Sequence, residues 1–115
     1  MLNSIFVRIL LSIMKTVIKS VADLGLLARA TRKSNRLRLD DVAGSARLGT
    51  VFVGDVEHGK DTVQLGLVLR LLDELGIELI ADAPQAVYDE FQKLRATGIK
   101  PRRPRTKKQR AETDK

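Results

Sequence analysis

The sequence predicts a mainly α-helical chain: a helix-turn-helix bundle of four to five helices, with one C-terminal strand pairing across a dimer. Three observations predict it. Apolar residues recur at helical spacing through most of the chain. Aromatic residues are only 3% of the total, so the core must be Leu, Val, Ile and Ala, which favours packed helices. Finally, residues 39–60, LDDVAGSARLGTVFVGDVEHGK, have the pattern of two short crossed helices joined by a tight turn.

A chain of 115 residues sets one domain as the expectation and buries one modest core. It contains no Cys, which excludes disulfides, thiol catalysis and cysteine-based zinc sites. His58 is the only histidine, so a His-rich metal site is excluded too. No cofactor, metal or catalytic residue is expected. The net charge of +7 points to a polyanionic partner. Of that charge, +6 lies in residues 98–115, so the remaining body is almost neutral and must place its basic residues locally to meet such a partner.

Residues 1–13, MLNSIFVRILLSI, form an apolar leader. Lys15 and Lys19 interrupt the run before it reaches the ~18 residues a membrane span needs. The segment also lacks a clear signal-peptide cleavage pattern. It reads as an unstructured leader or as translation from a start upstream of Met14; a dimer-stabilising strand or helix is the alternative.

From about Ser20 to Ser34 the period is helical. Leu24, Leu27, Ala28 and Thr31 share one face, and Arg29, Arg32, Lys33 and Arg36 follow i, i+3, i+4, i+7 spacing on the other. That stripe suits either phosphates or plain solvation. Asn35 and Arg36 end the helix.

In the central stretch, Ala43 is small where two helices must cross closely. Val42, Ala46, Leu48, Val53 and Val56 sit at offsets that crossed helices bury against each other. Gly49 and Thr50 offer a turn and then an N-cap, since a Thr hydroxyl accepts from a free backbone N–H. A helix placed this way offers its N-terminal side chains to base edges in the major groove. Gly49, Thr50, Val51 and Asp55 then face the bases: Thr50 and Val51 toward thymine methyls, Asp55 toward cytosine N4. Arg38, Arg47 and Lys60, with Arg29, Arg32 and Lys33 from the preceding helix, suit phosphates. His58 reads as a solvated residue at the helix end, with Gly59 as its C-cap.

A rival reading uses the same residues. Gly54 to Lys60 has the spacing of a phosphate-binding Walker loop, with TVFV as its strand. Asp61 stands where Ser or Thr should hold magnesium, and Asp55 and Glu57 would put negative charge into the phosphate cradle.

Leu65, Val68, Leu69, Leu72 and Leu75 make a further helical stripe, stopped by Gly76. Leu67 and Leu71 add a second apolar face, which hints at a dimer. Ile77, Leu79 and Ala81 alternate with Glu78, Ile80 and Asp82 as in a strand. A lone strand leaves its backbone unpaired, so Ile77, Leu79, Ile80 and Ala81 are expected to pair with the same residues of a second chain. The two-fold axis then predicts a palindromic operator. Pro84 starts a short amphipathic helix, residues 84–97, with Val87, Phe91 and Leu94 on one face. Residues 14–83 make the DNA-binding and dimerisation domain. The Pro- and Lys/Arg-rich tail, residues 98–115, is expected to be disordered and to add phosphate contacts or order against a partner.

The runs LRLDDVAGSARLG, VFVGDVEHGKDTV and LGLVLRLLDELGI, over about residues 23–82, resemble the lambda-repressor-like (Cro/C1-type, XRE) helix-turn-helix family. Within it, GKDTVQLGLVLRLLDELG followed at once by IELIAD looks like the HipB-type antitoxins. That resemblance implies a non-enzymatic, cytoplasmic, nucleoid-associated homodimer that represses its own operon and holds a HipA-type kinase toxin. A solitary regulator without a toxin is the alternative. Two positions depart from the family: Leu39 stands where a phosphate-gripping Gln is usual, and Arg47 where the turn usually has Gly.

Overall fold

The computed structural model describes residues 14–98 and residue 102. The expectations for residues 1–13 and for nearly all of the basic tail lie outside the described residues. Five helices are described: α1 (Val21–Ser34), α2 (Leu39–Ala46), α3 (Thr50–Glu57), α4 (Leu65–Glu74) and α5 (Gln85–Thr97). The chain divides into two compact units, one ending at Leu79 and the other starting at Ile80.

In the first unit, α1 packs on α3, and α2 packs on both α3 and α4. The core is Val42, Ala43, Val53, Val56, Val68, Leu71 and Leu72, edged by Leu24, Leu39, Leu48, Phe52, Val63, Leu75 and Ile77. Its fully buried members are aliphatic, as the scarcity of aromatics demands. Small residues set the helix spacing. Ala28 and Ala43 are at most 1% exposed. At Gly25, an added Cβ would lie 2.2 Å from the Val56 carbonyl oxygen, so only glycine lets α1 come this close to α3.

α1 begins with a side-chain cap: Ser20 Oγ accepts from the Asp23 N–H at 3.0 Å, and the Asp23 carboxylate accepts from the Lys19 N–H at 3.1 Å. The four helices of this unit then end in one way. The residue just beyond the last turn takes positive φ, and two backbone bonds reach back to the last carbonyls. At α3 the bonds are Gly59 N–H to Val56 O and Lys60 N–H to Asp55 O; at α4, Gly76 N–H to Asp73 O and Ile77 N–H to Leu72 O. Glycine holds the left-handed position in both cases. At α1 and α2 it is held by arginines, Arg36 at φ 57° and Arg47 at φ 58°. Arg36 and Leu37 bond back to Lys33 and Arg32; Arg47 and Leu48 bond back to Gly44 and Ala43. The turn between α2 and α3 therefore keeps its closed geometry with Arg47 in the glycine position, against a steric cost of about 1 kcal/mol.

Three expectations change. Thr50 is not the N-cap of α3: Gly49 is, with extended backbone at φ −69° and ψ 143°, and no side chain caps it. The helix starts one residue earlier than the hydroxyl argument placed it. In α4 the buried line is Val68, Leu71, Leu72 and half-buried Leu75, while Leu65 and Leu69 are 66% and 45% exposed. The α2 surface selects that side of a helix that is apolar on most sides. Finally, residues 77–84 form no strand in the single chain. A strand is defined by its ladder, and among the described residues no second backbone runs beside this one. Ile77 itself packs at the edge of the core.

The second unit contains α5. It has no buried residue, and Val87, Tyr88, Phe91 and Leu94 are all more than half exposed. The Arg95 guanidinium lies 5.5 Å from the centroid of the Phe91 ring.

Candidate nucleic-acid interface

The site is one face of α3, and burial of the opposite face defines it. Val53, Val56 and Glu57 are buried, and Phe52 is half-buried. At about 100° per residue, the outward side falls to Thr50, Val51, Gly54 and Asp55, with His58 one turn beyond. Gly49, Thr50 and Val51 are exposed, Val51 at 78%, and Asp55 is half-buried. An exposed apolar Val51 beside a hydroxyl suits a surface that carries methyl groups. The first-turn N–H groups of α3 have no side-chain cap and remain open to an acceptor.

Glu57 holds α3 in this orientation. It is 6% exposed, and its carboxylate accepts from Arg32 Nε at 2.7 Å and from Arg32 Nη2 at 3.0 Å. Arg32 Nη1 donates to the Leu37 carbonyl at 3.0 Å. The guanidinium thus spans α1, the loop after it and the C-terminal turn of α3. Its hydrogen bonds to Glu57 raise its pKa above the ordinary value, outweighing the opposing effect of desolvation. Arg32 therefore does not lie on the outer basic stripe of α1. Gly25, Ala28 and Arg32 are spaced i, i+3, i+7 and form the inner edge that meets α3. Its side chain is only 15% exposed, so it is committed to the fold and not to a phosphate.

The other basic residues stay accessible. Arg29, Lys33, Arg38 and Arg47 are exposed. Arg38 Nε lies 3.4 Å from Asp40, and the Asp41 carboxylate accepts from the Arg38 N–H at 3.3 Å. Two carboxylates at the start of α2 suit its own dipole but repel a phosphate placed there. Lys60 Nζ lies 3.6 Å from Asp55, so a residue expected to read bases and one expected to bind phosphate share an ion pair. α3 itself contains no Lys or Arg.

Sequence reasoning missed Glu57 as a partner and His58 as a member of the outward face. His58 Nδ1 lies 2.7 Å from the Gly54 carbonyl oxygen. A carbonyl can only accept, so this contact places the hydrogen on Nδ1 and leaves Nε2 free. One available signal was the position of Glu57, an acid next to buried Val56 on the inner side of a short helix. Such a carboxylate requires a cation from elsewhere in the chain.

The rival phosphate-loop reading does not survive this geometry. Residues 50–57 are helix, so no strand leads into a loop at Gly54.

No protein-family model matches the chain. Over 67 residues it is 46% identical to the uncharacterized HTH-type transcriptional regulator y4mF of Sinorhizobium fredii (strain NBRC 101917 / NGR234), covering 58% of this chain and 88% of that protein. The chain belongs to the HTH-type transcriptional regulators. Solved structures show the same fold for this regulator at low sequence identity. A chain of a HipB-O4 20mer complex superposes with a TM-score of 0.56 and 18% identity, covering 61% of this chain and all of that one. A chain of a HipA-HipB-O2-O3 complex gives a TM-score of 0.57 and 15% identity, with 62% and 100% coverage. Among the described residues of the regulator, no helix is long and apolar enough to cross a membrane.

Proposed function

We propose that this regulator is a sequence-specific, homodimeric repressor that reads a palindromic operator with α3. The observation that carries the reading is the exposed N-terminal face of α3 (Gly49, Thr50 and Val51, with Asp55 one turn on), held rigidly by a buried apolar side and the Arg32–Glu57 pair. Arg29, Lys33, Arg38, Arg47 and Lys60 contact phosphates. Ile77, Leu79, Ile80 and Ala81 pair with their counterparts in a second chain. The likeness to a HipB chain solved with a 20mer supports the DNA half of this reading.

The partner is a HipA-type kinase toxin, which makes the regulator the antitoxin of its own operon. The likeness to a chain solved in a HipA-HipB-O2-O3 complex supports this assignment. A solitary Cro/C1-type regulator would share every feature of α3 and lack only the partner.

A gel shift with the DNA upstream of the gene tests the first half. Thr50→Ala and Asp55→Ala should each change which operator base is preferred, by about 1–3 kcal/mol for a real base contact. Equal weakening on all sequences would remove these two as base readers. Co-expression with the neighbouring gene tests the second half: a kinase-like protein should co-purify at a fixed ratio, and regulator recovered alone would favour the solitary reading.

A further inference from the structure

The face of α5 has a pattern that the DNA-binding reading does not use. With Phe91 at heptad position a, Val87 and Leu94 fall at d, Tyr88 and Arg95 at e, and Glu90 at g. The b, c and f positions hold only Gln85, Ala86, Asp89, Gln92, Lys93 and Ala96. Val87, Phe91 and Leu94 are 51–61% exposed. Among the described residues of its unit the one apolar seam of this helix thus has no cover, and it is flanked by opposite charges.

We propose that α5 pairs with α5 of a second copy of this chain as a short parallel coiled coil. Charge complementarity selects this occupant and this direction. In a parallel pair, each g residue faces the e residue five positions later on the other helix. Glu90 then faces Arg95 of the second copy, and symmetry makes the contact twice. An antiparallel pair would set Glu90 against g residues and leave Arg95 against e residues, so the complementarity would be lost. In the single chain Arg95 already lies over the Phe91 ring, at the edge of the seam from which it reaches across. The 13 residues of α5 are too few to associate alone. This contact therefore rests on the homodimer reading, in which a second junction at 77–81 holds the two helices at high effective concentration.

The chain contains no Cys, so introduced cysteines report without background. The test uses the full chain with Leu94→Cys at a d position and Lys93→Cys at a c position under mild oxidation. Leu94→Cys should cross-link at least about tenfold faster than Lys93→Cys, because a d residue meets its counterpart across a parallel seam and a c residue does not. In the Leu94→Cys background, E90R or R95E alone should slow cross-linking by about tenfold, and the two together should restore it to within about twofold. Equal rates at 93 and 94, indifference to charge reversal, or no rescue in the double variant would each overturn the proposal. Sedimentation of the unsubstituted chain separates the layers of the argument. A dimer without selective Leu94→Cys cross-linking overturns the α5 pairing alone, and a monomer at all concentrations overturns the homodimer reading with it.

Discussion

Replacing Arg32 by Ala should unfold the first unit more readily than any other change at a charged residue of that unit. The variant loses two hydrogen bonds to Glu57 and one to Leu37 O. The larger effect is on what stays behind: a carboxylate 6% exposed with no counter-charge. Removing one partner of a buried ion pair costs about 3–5 kcal/mol. Arg32 retains 15% side-chain exposure, so water can reach part of the vacated space and the lower end, about 3 kcal/mol, applies. Total stability for a unit of this size is about 5–10 kcal/mol, so the loss is a large share of it. Glu57→Ala should cost less, about 2 kcal/mol, because a stranded guanidinium on a long stem can turn toward solvent. Arg32→Met with Glu57→Leu should recover to within about 1 kcal/mol of the parent, since no charge is then left unpaired. Urea unfolding followed by circular dichroism at constant slope measures all four chains. If Arg32→Ala costs under about 1 kcal/mol, or the double variant is as unstable as the sum of the singles, the pair is not desolvated and the reasoning fails.

Other consequences follow from the backbone and the charge layout. Arg47→Gly and Arg36→Gly should each stabilise by about 0.5 kcal/mol, left-handed strain relieved less the entropy of glycine, and raise the melting temperature by about 2–4 °C. A fall in melting temperature would show that the arginine side chains make compensating contacts. Gly25→Ala should cost about 3 kcal/mol, because the new methyl meets a backbone carbonyl that cannot yield without moving α3; retention of parental stability in urea would show that the helices separate freely. Removing residues 98–115 should weaken DNA binding and flatten its salt dependence while leaving base preference intact, read from gel shifts at several salt concentrations. An unchanged slope would mean that the segment does not touch phosphates.

The sequence by itself determined the helices and the core positions of the central pair, α2 and α3. Val42, Ala43, Val53 and Val56 recur at spacings that only crossed helices can bury, and the structure buries all four. It also determined Thr50, Val51 and Asp55 on the outward face of α3, though not His58, because every strongly apolar alternative but Val51 is taken by the inner side. Local periodicity carries this information, since a helix has one rotation that hides its apolar residues.

Tertiary contact decided the rest. Arg32 fits two stripes of α1 equally well by spacing, and only α3 with a buried acid at Glu57 chooses between them. Gly25 reads as a weak point in a helix until a carbonyl of another helix arrives against it. α4 is apolar on most sides, so its buried line is set by where α2 lies. Residues 77–82 alternate like a strand, yet strand is a property of two backbones, and the described residues of one chain supply a single one there. Periodicity fixes which residues want burial; the partner surface fixes which of them obtain it.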